Sequence, residues 1–219
     1  MFGNSLQLIA IINEGEMTMK ILRVEKHGSV ELIERLRRVS MLTNPEIFIY
    51  RESLVSLEKI RTEFLSPPQS YILSAELQKV RNLRWQLKEF GVELFSLDGY
   101  VSVYLEGYEE PVDVLPPVVE ESVEEDGSVH NIICDGMHRV SLARMEWVIP
   151  QVVFIRGIPR DKPYYAYPVP GGWSRVVTRE DLPEGFIKKW HRIKEYKTLY
   201  RDFNSAFTNV GGPRGRFVK

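Results

Sequence analysis

The stretch Asn131 to Arg144, NIICDGMHRVSLAR, constrains the fold most: an apolar run of strand character meets an Asp-Gly pair and continues into a helix. Val118-Val119 and Pro150 to Arg156 (PQVVFIR) flank it, and Glu125, Asp126 and Gly127 supply a hairpin turn. The expected order is strand, hairpin, strand, turn, helix, strand. The first amides of such a helix lack intrahelical acceptors and carry the positive end of its dipole, so an oxyanion is stabilised there. Gly136 admits backbone angles closed to other residues, and His138 and Arg139 add side-chain donors in the same first turn. Asp135 has three readings: helix cap, metal ligand, or orienter of a hydroxyl. Each residue also has an ordinary reading, as a common turn, a core histidine or a paired arginine. Cys134 ends an apolar run and reads as a small buried hydrophobe rather than a nucleophile.

At these residues the chain resembles the ParB/sulfiredoxin-like superfamily, in which a G-x-x-R or D-G-x-H-R turn opens a helix after a proline-led strand and a hairpin. The resemblance covers roughly Val112 to Arg156, from VDVLPPVVEE through EEDGSVHNII and CDGMHRVSLAR to VIPQVVFIR. It implies an α+β fold, a small mixed sheet with helices, that binds a nucleotide with its phosphates at Gly136, Met137, His138 and Arg139. Sulfiredoxins carry their reactive Cys where Met137 stands, and a thioether cannot replace a thiolate. Chromosome-partition ParB proteins use G-E-R-R and append a helix-turn-helix region, which the sequence after Arg156 does not suggest. The spelling is most similar to the D-G-H-H-R of ParB-like free serine kinases, apart from Met137 in place of the first His. That likeness implies ATP or ADP (or another nucleotide) and Mg as cofactors, Asp135 as the metal ligand, and a small-molecule acceptor. In those kinases a glutamate from the N-terminal part serves as base; Glu52, after the YRES turn, is the positional candidate, with Glu120 and Glu121 as alternatives.

With 219 residues, 43% hydrophobic and 27% charged, the chain can bury one good core with an appended lobe. The expected division is a possible extension at 1–18, a nucleotide-binding domain at 19–156, and a basic lobe at 157–219 packed on it. A single Cys excludes an internal disulfide and fits a reducing, cytoplasmic location. The apolar patch Ser5 to Ile12 is too short to span a bilayer and lacks a basic leader, so no membrane partner is expected. Residues 156–219 hold 14 Lys or Arg against 6 Asp or Glu, a balance of +8, which leaves −9 for residues 1–155. Opposed charges of this size can mark a nucleic-acid surface, or draw the two parts together within a chain or across a homodimer.

Val30 to Leu42 places Leu32, Leu36 and Val39 on one helical face, with Asn44-Pro45 as a stop before an extended Glu46 to Tyr50. Leu77, Val80, Leu83, Leu87 and Phe90 recur at helical spacing in Ser74 to Phe90, Gly91 provides a stop, and Gly99 to Glu106 alternates like a strand. The loop Leu65 to Tyr71, with two prolines, has two readings: a plain connector, or a rigid loop carrying a polar substrate contact through Gln69 or Ser70. Residues 159–175 combine three Tyr, a Trp, four Pro and two Gly, as a lid over a base or a cover for the sheet. A basic helix is expected over Glu184 to Tyr200, and Phe203, Phe207 and Val210 suggest packing before a tail with Arg214 and Arg216.

Two functional classes follow. The first is a nucleotide-dependent phosphotransferase or hydrolase, kinase-like, with Asp135, His138 and Glu52 catalytic; a non-catalytic nucleotide-binding regulator uses the same turn without turnover. The second is a nucleic-acid-binding protein or nuclease, with the turn holding a backbone phosphate and the basic C-terminal region supplying further contacts.

Overall fold

A computed structural model describes residues 19–213; the expected extension at 1–18, with its Ser5 to Ile12 patch, and Arg214 and Arg216 lie outside the described residues. The chain runs β1 (Ile21–Gly28), α1 (Ser29–Leu36), β2 (Ser40–Met41), β3 (Asn44–Phe48), β4 (Leu54–Lys59), β5 (Tyr71–Leu73) and α2 (Ser74–Glu89). It continues through β6 (Gly99–Leu105), β7 (Val112–Val114), β8 (Val118–Val123), β9 (Val129–Asp135), α3 (Met137–Met145), β10 (Gln151–Arg156), β11 (Val177–Arg179) and β12 (Arg201–Asp202). Helices and several small sheets mix, as an α+β fold requires.

The central sheet has the order β4-β10-β8-β9. Its β8–β9 hairpin is antiparallel, and α3 then carries the chain back so that β10 lies parallel to β8. Both inner strands are covered on both faces, which is why QVVFIR reads as a continuous apolar run rather than an alternating one. Val119, Val152 and Phe154 face one core with α2 and α3, while Val118, Val153 and Ile155 face a second core with α1, Phe203 and Phe207. Beside it stands an antiparallel sheet, β1-β6-β7, and β12-β2-β3 forms a third.

Helix α2 matches its apolar stripe: Leu77 and Leu87 are buried, and Val80, Leu83 and Phe90 pack partly buried against the same core. Helix α1 stops at Leu36, six residues before the expected end. The chain instead turns so that Val39 and Met41 become buried and β2 pairs with β3 and β12. Burying one such side chain stabilises by about 1.5–3 kcal/mol, whereas helix propensity differs by less than about 1 kcal/mol per residue, so packing wins. Asn44-Pro45 opens β3 rather than stopping a helix, and β3 is an edge strand, where a missing amide donor is tolerated.

The expected helix over Glu184 to Tyr200 does not form; the segment is irregular, made of turns and bends with a 3-10 turn at Tyr196–Leu199. Its backbone is used elsewhere: the Tyr167 amide donates to Trp190 O at 3.0 Å, and the Arg192 amide donates to Tyr165 O at 3.0 Å. These bonds clamp the segment over Tyr164, Tyr165 and Ala166, which are buried on Ile132. The aromatic loop is therefore a cover for the β9 edge of the central sheet. Leu65 to Tyr71 is a connector built into that edge, since the Ser66 amide donates to Asn131 O at 2.7 Å and the Ile133 amide donates to Ser66 O at 3.1 Å. Gln69 is buried and donates from Nε2 to Tyr71 O at 2.9 Å.

Opposite charges meet within the chain. Glu120 of β8 and Arg201 of β12 form a bidentate pair, both contacts 2.8 Å, with each side chain 1% exposed. Arg201 also donates to the carbonyls of Lys162, Pro163 and Leu199. Arg192 grips Glu124 in the same two-pronged way, at 2.6 and 2.7 Å. Glu120, an alternative base in the sequence reading, is thus locked into the core with Tyr50 donating to it at 2.6 Å.

Candidate functional site

The turn between β9 and α3 takes its shape from two local features. Val118 pairs with Asp135 but Val119 pairs with Ile133, so Cys134 is an extra residue in β9, a bulge that turns the strand end. Gly136 then adopts φ 83, ψ 24, in the left-handed region, and begins the helix. A Cβ there would lie 2.9 Å from Arg139 Nη2, 3.0 Å from Arg139 Nε and 3.0 Å from Pro117 Cα. Glycine is required twice over, by its backbone angle and by the guanidinium packed against it.

Arg139 reaches back from the helix. Its Nη2 donates to Asp135 Oδ2 at 2.5 Å, and its Nη1 donates to Leu115 O. The sequence reading gave Arg139 to phosphate; in the fold its guanidinium is 13% exposed and ties the turn to β9 and to the β7–β8 link. Asp135 does not cap α3, whose first turn receives no side-chain acceptor from the preceding residue. It is the counter-ion of Arg139. Met137 lies buried in the core, so of its groups the backbone amide is the one available to a ligand. Val140 is the first residue whose amide finds an acceptor inside the turn, Gly136 O at 3.0 Å. Met137, His138 and Arg139 accordingly present amides without intrahelical acceptors.

His138 is the unusual residue. Its Nε2 is buried and has no hydrogen-bond partner among the described residues. Burial pushes its pKa down to about 4, and the cations Lys189, Lys79 and Arg139 push in the same direction against the opposing Asp135 carboxylate. The ring is neutral at physiological pH, with one nitrogen unsatisfied beside a cluster of positive charge. An unmade bond of this kind costs about 1–3 kcal/mol, which a ligand oxygen can recover. Lys189 is fixed by a 2.8 Å bond from Nζ to Tyr165 Oη, and Lys79 by a 2.7 Å pair with Glu76.

Sequence reasoning missed both lysines. Lys189 falls in the segment misread as a helix, and Lys79 sits on the polar side of the α2 pattern, where a solvated charge is the default reading. Cys134 behaves as expected: its thiol faces the Glu120–Arg201 pair, and burial first, then Glu120, push its pKa well up, so it is not a nucleophile. Glu52 does not join the site. Val55 of β4 pairs through Ile155 of β10 with Glu120 of β8, towards the hairpin end of the sheet, while Asp135 lies at the other end on β9, three strands from β4. Strand geometry puts Glu52 roughly 20 Å from the turn, too far for a base acting on a bound phosphate.

No group of three or more potential metal ligands occurs among the described residues. Asp135, with one oxygen given to Arg139, fits a metal as a single ligand to an ion that phosphates and waters otherwise hold. No helix of the described residues is long and apolar enough to cross a membrane.

A family model described as the ParB CE domain matches residues 31–177, more than half of the chain and including every residue of the turn. No curated protein and no solved structure matches it.

Proposed function

The chain belongs to the ParB CE domain family, and from that premise we propose that it is a nucleotide-binding module whose ligand phosphates rest on the amides of Met137, His138 and Arg139. The observation that carries this reading is the orphaned, buried Nε2 of His138 among Lys189, Lys79 and Arg139. A phosphate supplies what that arrangement lacks: negative charge for the cations and an oxygen for the imidazole N–H and the helix amides. ATP or ADP with Mg remains the expected form, the ion held mainly by phosphates with Asp135 as its protein ligand.

Phosphoryl transfer to a small-molecule acceptor would also need a base. Glu52 is distant and Glu120 is consumed by Arg201, so the geometry favours binding without turnover by these groups. A second reading, nucleic-acid binding, draws on the same turn and on the neighbouring irregular segment, where Trp190 is 62% exposed beside exposed Lys188. An aromatic face next to cations suits a single strand.

One experiment separates the two. Thermal shift and calorimetry with ATP, ADP, CTP and GTP plus magnesium, beside single-stranded DNA binding at two salt concentrations, are run on the unaltered chain and on Lys189→Ala. Saturable nucleotide binding weakened about tenfold by Lys189→Ala, the loss expected from one charge-assisted contact, supports the module. Salt-steep DNA binding with no nucleotide response supports the second reading and overturns the first.

A further inference from the structure

A hydrogen-bond chain far from the α3 turn joins α1, the β1-β6-β7 sheet and the C-terminal segment. His27, at the end of β1, places Nδ1 3.2 Å from Glu31 Oε2 and Nε2 3.1 Å from Ser102 Oγ. Ser102 Oγ lies 2.6 Å from Asp113 Oδ1. Asp113 also takes Arg35 Nη2 at 3.2 Å and the Thr208 amide at 2.8 Å on its other oxygen.

The order serine, histidine, carboxylate invites a hydrolytic reading, which the contacts refuse. Ser102 is buried, and its hydroxyl gives its proton to Asp113 instead of to the imidazole. Asp113 takes donors at every contact, the Ser102 hydroxyl, the Arg35 guanidinium and the Thr208 amide, and so acts as an acceptor throughout. Glu31 can only accept as well: the Tyr100 hydroxyl, 2.5 Å from Oε1, and then His27 hold its pKa below the usual carboxylate range against a small burial effect. Three contacts therefore need three hydrogens. Ser102 supplies one and a neutral imidazole one more, so the third has to be a second proton on the His27 ring.

We infer that His27 is a proton-dependent clamp: as imidazolium it bonds Glu31 and Ser102 together, and on losing a proton it must release one of them. The groups facing it are Glu31 and Arg35 from α1, Tyr100 from β6 and, behind Ser102, Asp113 from β7. The Tyr100 ring stacks on the imidazole at 4.2 Å and 5°. From the C-terminal segment come the Phe207 ring, edge-on to Tyr100 at 5.5 Å, and the Ala206 carbonyl, which accepts from Arg35 Nε at 2.7 Å. The proton thus bears on whether residues 206–208 stay docked on the β1-β6-β7 sheet.

The test uses the whole chain labelled with 15N in histidine, its ring signals assigned through the backbone. His27 is expected to show two protonated ring nitrogens while both contacts hold, and a single one once a contact has been released at higher pH. As pH rises the Thr208 protection factor, which discounts the base catalysis of exchange itself, should fall together with the urea midpoint, and in His27→Gln, which cannot donate from both ends, both should stay level. A neutral single tautomer at His27 throughout, or equal pH slopes in both chains, overturns the clamp. Should His27→Gln not fold, the ring spectrum and Thr208 exchange of the unaltered chain still decide.

Discussion

Replacing Arg201 by Met tests how much of this fold depends on one buried ion pair. Arg201 spends its guanidinium on both oxygens of Glu120 and on three carbonyls, at 1% exposure. In Arg201→Met the Glu120 carboxylate keeps the Tyr50 hydroxyl and loses its counter-charge in a place water does not reach. Removing one member of a buried pair costs about 3–5 kcal/mol, a large part of the roughly 5–15 kcal/mol that holds a whole domain. Replacing both, as Glu120→Leu with Arg201→Met, removes the stranded charge. It still leaves the Tyr50 hydroxyl and the carbonyls of Lys162, Pro163 and Leu199 without their partners, so recovery is partial. Urea unfolding of the four chains, followed by tryptophan fluorescence, gives the cycle. The expected outcome is a double variant more stable than Arg201→Met by about 1–3 kcal/mol and less stable than the unaltered chain. An Arg201→Met midpoint equal to that of the unaltered chain refutes the reasoning.

Two other outcomes follow from local geometry. His138 has a pKa lowered by folding from 6.5 to about 4. The folded state therefore binds fewer protons than the unfolded one, and the stability this gives is present above pH 6.5 and lost as pH falls towards 4, about 3 kcal/mol in all. His138→Phe should flatten that part of the stability–pH curve measured by urea titration; an unchanged curve sinks the assignment. Trp147 ends α3 at φ 56, a left-handed position usually filled by glycine, and is 94% exposed. Trp147→Gly should raise the urea midpoint by an amount equal to about 1 kcal/mol, and a lowered midpoint would mean the indole contributes more than its exposure suggests.

The strand, glycine turn and helix around Gly136 were legible because each signal is local: an apolar strand, a residue with no Cβ, a helical period. Helix α2 was legible for the same reason. Glu120 was readable in part, since it shares a strand face with Val118, and a residue two places from a buried valine points inward. Its place in the acidic run that leads to the turn at Glu125 to Gly127, a setting usual for solvated carboxylates, hid it. The C-terminal region was not legible, because its conformation is set by partners far away in sequence: Arg192 by Glu124, Arg201 by Glu120, Trp190 by Tyr167. The structural part that the Arg139 guanidinium plays inside the turn was hidden for the opposite reason. A donor at a helix start suggests a ligand, yet here the nearest acceptors, Asp135 and Leu115, belong to the turn itself.

The two acid–guanidinium pairs also set an order of events during folding. Glu120 and Glu124 are separated from Arg201 and Arg192 by 81 and 68 residues, so the strand that carries the acids is synthesised long before its neutralising partners. Until those arginines arrive, sealing the sheet would leave its carboxylates buried without counter-charge. The contacts that complete the core are therefore long-range ones, of the kind that slows folding.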